Sequence, residues 1–135
     1  VKLQRVLIVE DVYIIARIML LKLKKFGYDV YHAHTGESAL EKIKKDPFYF
    51  IFMDIGLGDG IDGIEATRRI RALEVELNRP RCPIIACTAH ITDEDKARYL
   101  ASGMDMVVKK PLTDERFLLA EAKVKTLWEQ QGKDY

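Results

Sequence analysis

Polar side chains suited to a single reaction stand at the ends of four apolar runs. Glu10 and Asp11 follow Val6–Val9, Asp54 follows Tyr49–Met53, Thr88 follows Ile84–Cys87, and Lys109-Lys110-Pro111 follows Met106–Val108. Carboxylates set side by side repel unless a cation lies among them, and all-oxygen ligation suits Mg²⁺, or Mn²⁺, with several waters retained. A lysine and a threonine hydroxyl facing that cation are suitable donors to the equatorial oxygens of a transferring phosphoryl group. Asp54 emerges from Tyr-Phe-Ile-Phe-Met, an apolar and rigid support, and is the candidate nucleophile toward phosphorus, giving an acyl phosphate.

These groups converge only if the apolar runs are neighbouring strands. Each run is short and rich in β-branched or aromatic residues, as expected of strands buried on both faces of a parallel sheet. A fifth run, Tyr28–Ala33, has the same texture, and every run is followed by a helical period. The first helix, Val12–Phe26, stops at Gly27; the second, Glu37–Lys45, stops at Asp46-Pro47. The third carries Ala66, Ile70, Leu73 and Leu77 on one stripe, with Arg68, Arg69, Arg71 and Glu74 on the other face and the arginines expected to be solvated. Thr92-Asp-Glu-Asp95 reads as a capping box for the fourth, and Pro111–Thr113 opens a fifth with Phe117, Ala120, Val124 and Leu127 on one stripe. Strict βα alternation implies right-handed crossovers and a three-layer α/β/α sandwich. In such open sheets ligands bind beyond the carboxyl ends of the strands, where the polar residues stand.

The chain has 135 residues, 48% of them hydrophobic and 32% charged, with a formal charge of +1. That fits one domain with a core of about 4–130 and a frayed tail from Gln130, burying roughly two thirds of the unfolded surface. Near-neutral charge gives no electrostatic footprint for nucleic acid or an anionic membrane. No run has the length of a membrane span or the layout of a signal peptide, so a cytoplasmic location is expected. Cys82 and Cys87 read as members of one strand, roughly 16 Å apart at ~3.3 Å per residue, too far for a disulfide. The chain opens on Val1 rather than Met, which suggests a domain cut from a longer protein.

Val-Glu10-Asp11, Met-Asp54-Ile, Asp62-Gly63-Ile-Glu-Ala-Thr, Pro83-Ile-Ile-Ala-Cys-Thr88-Ala and Gly103-Met-Asp through Lys110-Pro111 resemble, in order, the motifs of response-regulator receiver domains. The wording of Pro83–His90 and Gly103–Leu112 is most similar to receivers of hybrid sensor histidine kinases. The resemblance implies a flavodoxin-like five-stranded sheet in the order 2-1-3-4-5. It also implies a phosphoacceptor rather than a turnover enzyme, with Asp54 taking a phosphoryl group from a histidine kinase or histidine phosphotransfer domain. Mg²⁺ would be held by Asp11, Asp54 and the Gly56 carbonyl, with Glu10 reaching it through water. Thr88 and Lys110 would meet the phosphoryl oxygens, assisted by the Gly56 and Ala89 amides. Lys110 rather than Lys109 takes that role, since adjacent strand residues face opposite ways and the family places the lysine directly before proline.

Two features depart from the family pattern. Leu57-Gly58 replaces the usual Met-Pro pair in a loop that carries one extra residue, and glycines 56, 58 and 60 are expected to make it permissive. Val107 stands where many receivers have a Tyr or Phe that rotates when the threonine engages phosphate.

Rival readings are weaker. Gly58-Asp-Gly60-Ile-Asp-Gly63 spells G-x-G-x-x-G, but follows the third strand, beside an Asp54 that would repel a pyrophosphate. His32 and His34 share a strand face without an evident third zinc ligand, and read as sheet-edge residues. A dehalogenase-like phosphatase needs a second Asp two residues after the nucleophile, where Gly56 stands. The remaining alternative is a degenerate receiver acting as a constitutive protein-interaction module, although the acidic, hydroxyl and lysine positions are all intact.

Overall fold

The computed structural model describes residues 3–58 and 60–132. Five strands and five helices alternate: β1 (Arg5–Val9), α1 (Tyr13–Lys25), β2 (Asp29–Ala33), α2 (Gly36–Lys45), β3 (Phe50–Asp54), α3 (Gly63–Glu76), β4 (Ile84–Thr88), α4 (Asp93–Ser102), β5 (Met106–Lys109) and α5 (Asp114–Gln130). The strands form one sheet in the order β2-β1-β3-β4-β5, with every pairing parallel. The architecture is therefore the expected flavodoxin-like sandwich.

Side-chain alternation along the strands builds two cores. Leu7, Val9, Ile51, Met53, Ile84 and Ala86 point to the layer of α2, α3 and α4, where they meet Ala39, Ile43, Ile70 and Tyr99. Val6, Ile8, Phe50, Phe52, Ile85 and Cys87 point to α1 and α5, where they meet Met19, Leu23, Phe117, Val124 and Trp128. Phe50, Phe52 and Phe117 are fully buried, and each such side chain contributes roughly 1.5–3 kcal/mol. The central strand β3 is buried along its whole length, which makes its terminal Asp54 a rigidly mounted group.

Helix starts carry side-chain caps: Thr35, Asp62, Thr92 and Thr113 accept from the backbone N–H of Ser38, Glu65, Asp95 and Arg116. Helix α1 differs, since Val12 at its N-cap has no side-chain cap bond. Asp11 is thus not consumed in capping the first helix.

Several expectations need correction. Arg71 does not lie on a solvated face; its guanidinium donates to the Gly103 and Cys82 carbonyls, to Glu74 and to Asp105 at 2.7–3.0 Å. Asp105 also accepts from Arg81 and from the Ile84 amide, and Glu74 accepts from the Cys82 amide. This network ties the residues that lead into β4 and β5. Leu77 caps α3 and is 41% exposed, and Trp128 rather than Leu127 completes the buried stripe of α5. Gln130 closes α5 instead of opening a frayed tail, and the Gln131 side chain pairs with the Arg81 backbone. Residues 133–135 of that tail, like Val1, lie outside the described residues. Cys82 precedes β4 rather than sharing it; both cysteines are free and buried, in different cores. Among the described residues no helix is long and apolar enough to cross a membrane.

Candidate functional site

The carboxyl ends of the adjacent strands β1 and β3 bring Glu10, Asp11 and Asp54 together, each offering an oxygen within 4.8 Å of the others. Glu10 and Asp54 are buried. Three carboxylates so placed, two of them out of solvent, form a hard-cation donor set.

Lys110 supplies the only cation that contacts two of these acids among the described residues. Its Nζ donates to Asp54 Oδ1 at 2.9 Å and lies 2.7 Å from Glu10 Oε1. The second contact is an ion pair without hydrogen-bond alignment, so Glu10 Oε1 remains a buried oxygen with no hydrogen-bond partner. Glu10 Oε2 accepts from the Val12 amide, and its carbonyl contacts His32 Nε2 at 2.8 Å. Burial pushes the Glu10 carboxyl up to about 7 against the pull of Lys110. Burial also lowers the Lys110 ammonium, but its bonds to Glu10 and Asp54 outweigh this and leave it above its ordinary value.

Asp11 has a different partner: its Oδ2 accepts from the Gly58 amide at 3.0 Å. Partial burial raises this carboxyl, yet the Gly58 N–H and its acidic neighbours' hydrogen bonds hold it below the usual range. The loop that presents Gly58 is closed at its base by Gly63 N–H donating to the Ile55 carbonyl at 3.2 Å. A Cβ on Gly63 would fall 2.3 Å from the Asp54 carbonyl oxygen, so only glycine lets α3 begin this close to the end of β3. On the far side Glu37 accepts from the Ile61 amide at 3.3–3.4 Å. Three ties therefore fasten a loop whose glycines suggested freedom, a correction that backbone hydrogen bonds explain.

The remaining residues take separate places. Thr88 ends β4, on the side of the sheet shared with Ile84 and Ala86, and its hydroxyl donates to the His90 carbonyl at 3.2 Å. Gly56 stands two residues past Asp54, with nothing within 4 Å of where a Cβ would sit. Lys109 is exposed and Lys110 faces the acids, as the alternation required. His32 and His34 are half-buried at the β2 edge, their rings 4.4 Å apart and joined by Tyr13, which lies 4.0 Å from His34. The Gly58 contact was absent from the sequence reading, because a backbone N–H has no side-chain signature.

The family model for the response regulator receiver domain matches residues 6–122. The chain is 33% identical over 135 residues to hybrid signal transduction histidine kinase L of Dictyostelium discoideum, covering 98% of this chain and 7% of that protein. It is 34% identical over 112 residues to the sensor protein GacS of Pseudomonas syringae pv. syringae, covering 83% and 12% respectively. The chain thus spans a small fraction of these curated relatives. Among solved structures, it resembles a response regulator from Chloroflexus aurantiacus (TM-score 0.81, 28% identity, 92% of this chain and 99% of that one). It also resembles the receiver domain of the Arabidopsis thaliana histidine kinase CKI1 complexed with Mg²⁺ (TM-score 0.77, 33% identity, 88% and 91%).

Proposed function

Because the chain belongs to the response regulator receiver domain family, we propose that it accepts a phosphoryl group from a phosphohistidine onto Asp54 and relays it or switches on it. One observation carries the reading: Lys110 Nζ bridges Asp54 and Glu10 inside the three-carboxylate cluster. A lysine inserted between two buried acids neutralises part of their repulsion and remains a donor for an incoming anion.

An Asp54 oxygen attacks phosphorus, the P–O bond forms, and the P–N bond to the donor imidazole breaks with the nitrogen keeping the electron pair. Lys110 is within reach of the new phosphoryl oxygens through its contact with Asp54 Oδ1. Thr88 serves as a further donor once its hydroxyl leaves the His90 carbonyl. Asp11 and Asp54 would hold Mg²⁺ with the Gly56 carbonyl, Glu10 acting through water; the ion supplies counter-charge for the phosphoryl oxygens. The fit rests on the donor set itself, oxygen-only and anionic, with two of its three carboxylates buried. The chain is on this reading a cytoplasmic phosphoacceptor, with a histidine kinase or histidine phosphotransfer domain as its partner and no direct contact with nucleic acid or membrane. Support for the partner class comes from the hybrid kinases to which it is similar.

The test is incubation with Mg²⁺ and a small phosphodonor, followed by detection of an acid-stable, base-labile adduct. The wild type should be labelled and Asp54→Asn should not, with its fold intact, because an amide is a poor nucleophile. An unlabelled wild type, or an Asp54→Asn variant labelled at the same rate, overturns the reading.

A further inference from the structure

The position of Asp11 needs a physical cause. Helix α1 does not use it as a cap, and Lys110 is committed to Glu10 and Asp54. A carboxylate left to itself beside two other acids would swing toward solvent. Asp11 instead has the Gly58 N–H, 3.0 Å from Oδ2.

Residue 58 is suited to this contact in two ways. A Cβ there would lie 2.9 Å from Asp11 Oδ2, so any larger residue pushes the carboxylate away. Proline, which the family usually places here, has no N–H to donate. The contact therefore belongs to the Leu57-Gly58 pair of this chain. The neighbouring ties, Gly63 to Ile55 and Ile61 to Glu37, hold the strap on which Gly58 is carried.

We propose that the Gly58 amide is a positioning group for the cation site, fixing the Asp11 carboxylate through one oxygen and leaving the other for a divalent metal. The inference rests on the reading that Glu10, Asp11 and Asp54 form that site. Hydrogen bonds to a ligating carboxylate set its orientation, and losing such a partner typically costs about 10–100-fold in metal affinity.

The experiment is calorimetric titration of the whole chain with MgCl₂, comparing wild type, Gly58→Pro, Asp11→Ala and the double variant. Gly58 does not have a left-handed backbone, so proline is not excluded on that ground. Gly58→Pro should bind Mg²⁺ at least about 10-fold more weakly than wild type. In the Asp11→Ala background the same substitution should cost little, because the group it acts through is gone. Equal losses in both backgrounds would mean a merely structural loop effect and would sink the proposal, as would wild-type affinity in Gly58→Pro. If Gly58→Pro does not fold, the Gly58 amide proton gives the answer: its resonance should move upfield in Asp11→Ala, and an unmoved resonance refutes the contact. A wild type that takes up no Mg²⁺ brings down the cation site together with this inference, whereas tight binding indifferent to residue 58 brings down the inference alone.

Discussion

Lys110 Nζ meets Asp54 Oδ1 at 2.9 Å across 56 positions of sequence, while the adjacent Lys109 is exposed. A hydrogen bond between charged groups contributes roughly 1.5–3 kcal/mol, which corresponds to about 10–100-fold in a rate when it acts on the transition state. Lys110→Ala should slow labelling of Asp54 by a small phosphodonor by about that factor. Lys109→Ala should be nearly silent in the same initial-rate assay; the reverse order would place β5 one residue out of register.

Glu10 makes metal-free stability depend on pH. Its folded pKa is raised from 4.5 to about 7, so its contribution is fully present below pH 4.5 and is lost as pH rises through 7. Asp11 and Asp114 are held below their ordinary values, so their contributions change only in more acidic solution and leave this window clear. In the absence of Mg²⁺, Glu10→Gln should unfold at a higher temperature than wild type at pH 8, with the gap closing toward pH 5. Thermal melts across that range check it, and a gap that widens on acidification contradicts it.

Arg71 should be the costliest surface-helix arginine to remove. Its side chain is 14% exposed, and the Glu74 and Asp105 side chains that it pairs are each 8% exposed. Arg71→Ala leaves both acids buried without it and should cost about 3–5 kcal/mol in urea unfolding. Arg68→Ala, at an exposed pair with Glu65, should stay within about 0.5 kcal/mol.

Val107 bears on how phosphorylation at Asp54, as proposed, would be transmitted. It is half-buried against the α2, α3 and α4 core, and β-branching restricts its χ1. Thr88 can move by exchanging the His90 carbonyl for a phosphoryl oxygen. Amide shifts induced by a beryllofluoride mimic should therefore concentrate in residues 88–92 and 56–63 and the adjoining helix starts, with smaller changes around Val107. Shifts largest on β5 and along Phe117–Trp128 would count against it.

The strands were legible because a buried parallel strand must be an apolar run, and the polar residues that end such runs must gather at one edge. That logic located Glu10, Asp11, Asp54 and Lys110 together. It does not reach Arg71, whose helical spacing resembles that of a solvated arginine and whose partners lie up to 34 residues away. It also reads Gly58 as slack, since an N–H donor is common to every residue but proline and only the fold aims one at Asp11.

The Arg71 network and the bond from Trp128 Nε1 to the Tyr49 carbonyl both fasten the end of the sheet where β3, β4 and β5 begin. At the opposite end, the groups around Asp54 are held by the Lys110 bridge and by bonds to loop backbone, Gly58 N–H to Asp11 and Thr88 to the His90 carbonyl. The molecule is in this sense a clamped cantilever, one end held by charged and aromatic anchors and the other carrying the candidate site. On the proposed function, a message written at Asp54 would leave by the same rim at which it arrived.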